Sequence, residues 1–192
     1  MAEKLTIQER IAQQLRATID VALPDFLTNE VALGAMTADD RAAVLALGTQ
    51  DFDPRGMDLP WFVPVLVTGD AEVVGESTGQ DGYCDWEYPY LMQVEYGVPE
   101  GVDISASPAR GAERMGRRWL GFFIATLLDD PYVTETATGE KLAHEVGPLG
   151  TALPKSKVDG QVLYAPELEI VVTSEIARSN PYLGAGTNER TV

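Results

Sequence analysis

The chain has 192 residues, 30 of them Asp or Glu and 14 Lys or Arg; with its one His neutral it carries a net charge of −16, which excludes a basic nucleic-acid reader. A 20.8 kDa chain buries about 70% of its surface on folding, and 45% hydrophobic residues are too many for a disordered polymer despite the charge. One folded domain is therefore expected over 1–178, followed by a mobile, Gly-, Asn- and Thr-rich tail over 179–192.

Thr6 and Glu9 form a T-x-x-E capping box, so a helix is expected to start there, with Ile7, Ile11, Leu15, Thr18 and Ala22 as its buried stripe and Pro24 as its end. Thr37 and Asp40 repeat the cap signal before a short helix through Leu47, closed by Gly48. Asp51 to Pro60 reads as a loop. Trp61 to Thr68 reads as a strand that Pro64 restricts to an edge or bulge, with Ala71 to Thr78 as its hairpin partner across Gly69-Asp70 and a turn at Gly79 to Gly82. From Tyr90 to Val98, Tyr90, Met92, Val94, Tyr96 and Val98 alternate with other residues, the period of a half-buried strand.

Ser107-Pro108 is a helix-start pair, and the helix it opens is expected to run to about Asp130. Ala112, Met115, Trp119, Phe122, Phe123 and Thr126 fall on one side of it and Arg110, Arg114 and Arg117 on the other. Tyr132 to Thr136 and Lys141 to Val146 are expected to form a small hairpin around Thr138-Gly139, followed by a loop over Gly147 to Lys157. Asp159-Gly160 then introduces a long strand, Val162 to Ile176, which Pro166 splits or bends. The expected fold class is α+β: a mostly antiparallel sheet with a long amphipathic helix and an N-terminal helix packed on it.

The single cysteine, Cys84, rules out an intrachain disulfide and suits a reducing compartment. No leader-like apolar segment or membrane-length apolar run is present, so a soluble chain is expected. One His, His144, sixty residues from Cys84 and without a flanking signature, gives no triad, zinc site or thiol-imidazole pair, so neither catalytic nor metal-binding residues are assigned and no cofactor is expected. The remaining raw material is acidic: Asp51 with Asp53, Asp81 with Asp85, and Asp129 with Asp130. These pairs lack the spacing of a calcium loop and read as solvated loops; a small carboxylate-based, cation-dependent enzyme is the alternative from a different class, and a monomeric acidic binding module a third reading.

The charge distribution is more telling. Residues 61 to 105 hold nine acids (Asp70, Glu72, Glu76, Asp81, Asp85, Glu87, Glu95, Glu100, Asp103) and no Lys or Arg, while 106 to 128 hold four Arg against Glu113. Arg110, Arg114 and Arg117 are accordingly candidates for an inter-subunit contact with the acidic strand region, and Arg118 for a pair within the chain or solvation.

The N-terminal helix, the hairpin at Trp61 to Thr78, the strand YPYLMQVEYGV, the helix SPARGAERMGRRWLGFFIATLLDDP and the late strand VLYAPELEIVVTSEI resemble, in kind and order, tail terminator proteins of long-tailed, siphovirus-like bacteriophages and their head-to-tail joining relatives. The resemblance implies a structural virion protein, not an enzyme: a homohexameric ring that caps the tail tube, meets the tail tube protein on one side and a head connector or neck protein on the other, and lets duplex DNA pass. A head-side adaptor or stopper is the alternative within that class. Ring members of this kind are expected to turn a sheet to the lumen, and a lumen through which DNA slides should repel phosphate rather than release counterions to it. Glu72, Glu76, Glu87 and Glu95 are the lumen-lining candidates.

Overall fold

The computed structural model describes residues 5–51, 59–76, 83–99 and 111–177. Among these residues it is an α+β fold with three helices and mostly antiparallel sheets. Helix α1 spans Ile7–Ala32. At its start the Glu9 amide donates to Thr6 Oγ1 at 3.2 Å and the Thr6 amide donates to Glu9 Oε2 at 2.6 Å, the reciprocal cap read in the sequence. Pro24 does not end this helix. The buried stripe is Ile7, Ile11, Leu15, Ile19, Leu23 and Leu27, rather than one passing through Thr18 and Ala22. It continues past the proline, so packing on both sides outweighs the roughly 3 kcal/mol that an interior proline costs.

Helix α2, Ala38–Leu47, has the expected Thr37–Asp40 capping box and ends at Gly48, whose φ of 64° suits glycine. The next amide and hydroxyl, both of Thr49, donate to Asp20 Oδ1 at 2.7 Å, tying the α2 exit to α1. The chain then enters β1, Gln50–Asp51, which runs parallel to β2, Val65–Thr68. The expected strand at Trp61 to Thr68 is thus confined to its second half. Phe62, at φ 69°, turns the chain and stacks on Tyr96 at 5.6 Å.

Strand β3, Glu72–Glu76, is not the hairpin partner of β2. Both lie antiparallel to β4, Tyr83–Gln93, with β2 opposite residues 90–93 and β3 opposite residues 84–87. They follow one another along the same edge of β4, and the break between them falls opposite Pro89. Proline has no amide to offer there, while its carbonyl accepts from the Gly69 amide at 2.9 Å. Gly69-Asp70 looks like a hairpin turn in sequence but is an interruption in a continuing edge. The other edge of β4 pairs along its length with β9, Glu167–Ala177, and β9 pairs with β6, Glu145–Ala152.

The expected loop at Gly147 to Lys157 is therefore mostly strand. Gly147, Pro148 and Gly150 misled the reading because β6 is an edge, where a missing amide and a bulge at Leu149 are tolerated. The hairpin expected before it is present in short form: Thr134 bridges Lys141, and the amides of Glu135, Leu142 and Ala143 donate to the carbonyls of Glu140, Val133 and Tyr132, while its second arm runs on into β6 at Glu145. The alternating strand at Tyr90 to Val98 starts earlier, at Tyr83, and breaks at Val94-Glu95 before β5, Tyr96–Pro99.

Three strands bend together. β4 passes into β5, β6 into β7 (Lys155–Val158), and β8 (Gln161–Tyr164) into β9, so β5, β8 and β7 form a second, three-stranded sheet in the same order as β4, β9 and β6. Pro166 divides the C-terminal strand as expected. Across the bend the Val94 amide donates to the Pro166 carbonyl at 3.3 Å and the Ala165 amide to that of Pro154 at 3.1 Å. Asp159 and Gly160, at φ 50° and 75°, make the turn between β7 and β8.

Helix α3, Ala112–Leu127, packs with α1 on the inner face of the sheet and also touches β8. Its expected start at Ser107-Pro108 lies outside the described residues, as do Arg110, the turn at Gly79 to Gly82, and the expected tail; it ends at Leu127, three residues short of Asp130. Its buried side includes Met115, Gly116, Trp119, Phe123 and Leu127, with Phe122 and Thr126 half-buried. A Cβ on Gly116 would stand 2.6 Å from Leu153 Cδ1 and 2.9 Å from the Tyr96 hydroxyl, which is fixed by a 2.6 Å hydrogen bond to the Ala112 carbonyl. A Cβ on Gly121 would meet nothing within 4 Å. Gly121→Ala should therefore stabilise the protein by about 0.5 to 1 kcal/mol, as in any open helix interior, whereas Gly116→Ala should destabilise it. Urea midpoints moving in the same direction for both would contradict the close approach at Gly116.

Arg10 on α1 holds the turn after α3. Its guanidinium donates to both Glu135 oxygens at 3.0 Å and to Glu140 at 2.6 Å. The Arg10 hydrogen bond, with help from Thr138, lowers the Glu135 pKa from its ordinary 4.5. A folded-state pKa below the unfolded one means the contribution is present above about pH 4.5 and lost as pH falls through the lowered value. Thermal melts taken from about pH 6 down to pH 3 should show falling stability, with a shallower decline in Glu135→Gln.

Candidate functional site

Strand alternation gives the six-stranded sheet two opposite characters. On β4 and β9, Cys84, Tyr88, Tyr90, Met92, Leu168, Ile170, Val172 and Ser174 are buried. The residues between them occupy the other face, and there the registers gather Glu72, Asp85, Glu87, Glu145, Glu167, Glu169 and Glu175. None of these is buried, and none of the six strands contains a Lys or Arg. One row runs Glu72, Glu87, Thr173, Glu145 across β3, β4, β9 and β6. Like charges directly opposite, as in Glu72 and Glu87, are destabilising in a sheet. A face shaped only for stability would place opposite charges there.

Glu167 reports this field. Burial, and then the neighbouring Glu169 carboxylate, raise its pKa from 4.5. Its protonation on acidification therefore favours the folded state, the opposite sign to Glu135.

Of the lumen candidates, Glu72 and Glu87 are register partners on this face. Glu95 is exposed at the bend, where its carbonyl accepts from the Phe62 amide at 2.9 Å. Glu76 pairs with Cys84 in backbone register, and its side chain lies outside the described residues. The structure adds Glu145, Glu167, Glu169 and Glu175, which the sequence reading missed. The spacing of two in ELEIVVTSE was their signal, since Leu168, Ile170 and Val172 fix the alternate positions as outward. Glu145 carried no such signal.

Arg114 and Arg117 are exposed on α3, and Arg118 makes a two-bond pair with the buried Glu30 of α1, at 2.6 and 2.7 Å. Glu113 forms an ion pair with Lys155 of β7, placing the start of α3 beside that edge strand. Cys84 is buried and His144 exposed. Asp51 binds Arg16 at 2.5 Å, and Asp130 accepts from the Tyr132 and Thr134 amides at 3.0 and 2.6 Å, so two of the sequence's acidic pairs have a member engaged in holding the fold. Asp53 and Asp81 lie outside the described residues. No described helix is long and apolar enough to cross a membrane. Compared with models of protein families and with curated proteins, the chain matches none.

Proposed function

We propose that the protein is a structural virion component of a long-tailed bacteriophage, a tail terminator whose homohexameric ring caps the tail tube and joins it to the head connector. The observation that carries this reading is the sheet with one face under helices and the other lined with seven carboxylates (Glu72, Asp85, Glu87, Glu145, Glu167, Glu169, Glu175) and no cation in its strands. Turned to a lumen, such a face keeps duplex DNA from adhering, because binding would release no counterions from the phosphates and every approach would be repulsive. The protein acts from the virion neck, after assembly in the host cytoplasm.

Negative-stain images of the purified protein, alone and with tail tubes, should show six-membered rings at tube ends. Particles carrying Glu87→Lys, Glu145→Lys and Glu169→Lys should assemble yet eject DNA slowly or incompletely. Normal ejection from assembled mutant particles would remove this face from the channel.

A further inference from the structure

The two lateral flanks of the fold differ in charge. On one, the β6–β7 edge lies beside α3, and these elements present Arg114, Arg117 and Lys155 together with the exposed apolar residues Leu149, Val158 and Ile124. On the other, the β2–β3 edge presents Asp70 and Glu72, with Val73 and Val74 exposed. Five of the ten large apolar side chains that are exposed in the described residues thus lie on the two flanks, three on the first and two on the second. Arg117 makes no hydrogen bond or ion pair among the described residues, although Glu113 and Lys155 are near enough to feel its charge.

We infer that a second copy of this chain docks head to tail, its Asp70–Glu72 flank against the Arg114–Arg117–Lys155 flank of the first. This rests on the ring reading above and names its interface. Two copies at −16 each repel except where unlike patches meet. Apolar residues set among complementary charges are the composition of a protein interface. The two flanks stand on opposite sides of the β4–β9 pair, so the contact is heterologous and can close into a ring while leaving the acidic sheet face beyond Glu72 uncovered. Pro148 and the bulge at Leu149 deny the β6 edge a regular ladder, so the contact is made by side chains rather than by extending the sheet.

The test is the assembly state of the full chain, read by native mass spectrometry and light scattering across salt concentration. Arg114→Glu/Arg117→Glu should weaken assembly at least about tenfold, each tenfold being about 1.4 kcal/mol, while the isolated chain still unfolds cooperatively. Asp70→Lys/Glu72→Lys should do the same. The chain carrying all four changes should assemble again, which a merely structural role for these exposed residues does not predict. Assembly should also weaken as salt rises. Rings that persist in both double variants, or a fourfold variant that stays monomeric, would overturn the flank pairing and leave the ring reading standing. A wild-type chain that stays monomeric at every salt concentration and with tail tubes would overturn both.

Discussion

Arg118→Ala should destabilise the protein by about 3 to 5 kcal/mol, because it leaves the Glu30 carboxylate buried without its partner. Glu30 is 1% exposed, and Arg118 reaches it with two parallel hydrogen bonds of 2.6 and 2.7 Å from α3 to the last turn of α1. Removing the guanidinium costs the desolvation of a charge that the fold no longer compensates. Replacing both residues by Leu should cost far less, since neither charge then needs solvation. Urea denaturation of the single and double variants separates the two cases, and a loss below about 1 kcal/mol in Arg118→Ala would mean that water reaches Glu30.

Trp119→Ala should cost about 3 to 5 kcal/mol by a different route, the loss of apolar burial plus the cavity left behind. The indole is fully buried, edge-on to Phe26 of α1 at 4.6 Å and tilted against Phe123 at 5.6 Å, so its removal opens the α1–α3 contact at its centre. Its Nε1 is buried without an acceptor among the described residues. Trp119→Phe should therefore lose much less, because it keeps an aromatic ring while removing a donor that makes no bond. An unchanged denaturation midpoint in Trp119→Ala would contradict this packing.

The helices were legible because their signals are local: Thr6 with Glu9 and Thr37 with Asp40 cap as read, and Met115, Trp119 and Phe123 repeat at helical spacing. Pro24 was misread because the burial that sustains α1 beyond it depends on distant partners. Strand partners depend on such distant contacts too. Gly69-Asp70 has hairpin chemistry, yet its place opposite Pro89 can be known only once β4 is paired. The acidic face was half legible: Glu72 and Glu87 came from a charge count, whereas Glu145 needed the register that brings it opposite Thr173. Arg118 was separated from Arg114 and Arg117 by its angular position on α3, but its partner Glu30 lay in a stretch that the sequence reading had placed beyond the end of α1.

The shared bend of three strands constrains how this protein can change its length. Side chains alternate strictly along a strand, so one residue added within β9 would exchange the positions of Leu168, Ile170 and Val172 with those of Glu167, Glu169 and Glu175. The same slip would carry through Pro166 into the second sheet, because the bends at Val94-Glu95, Leu153-Pro154 and Ala165-Pro166 are hydrogen-bonded to one another. The Asp159-Gly160 turn bears no such coupling, since lengthening it leaves both strand registers intact. Lineages descended from this sequence should accumulate insertions at that tip and keep the residue count between the bend and the end of β9 fixed.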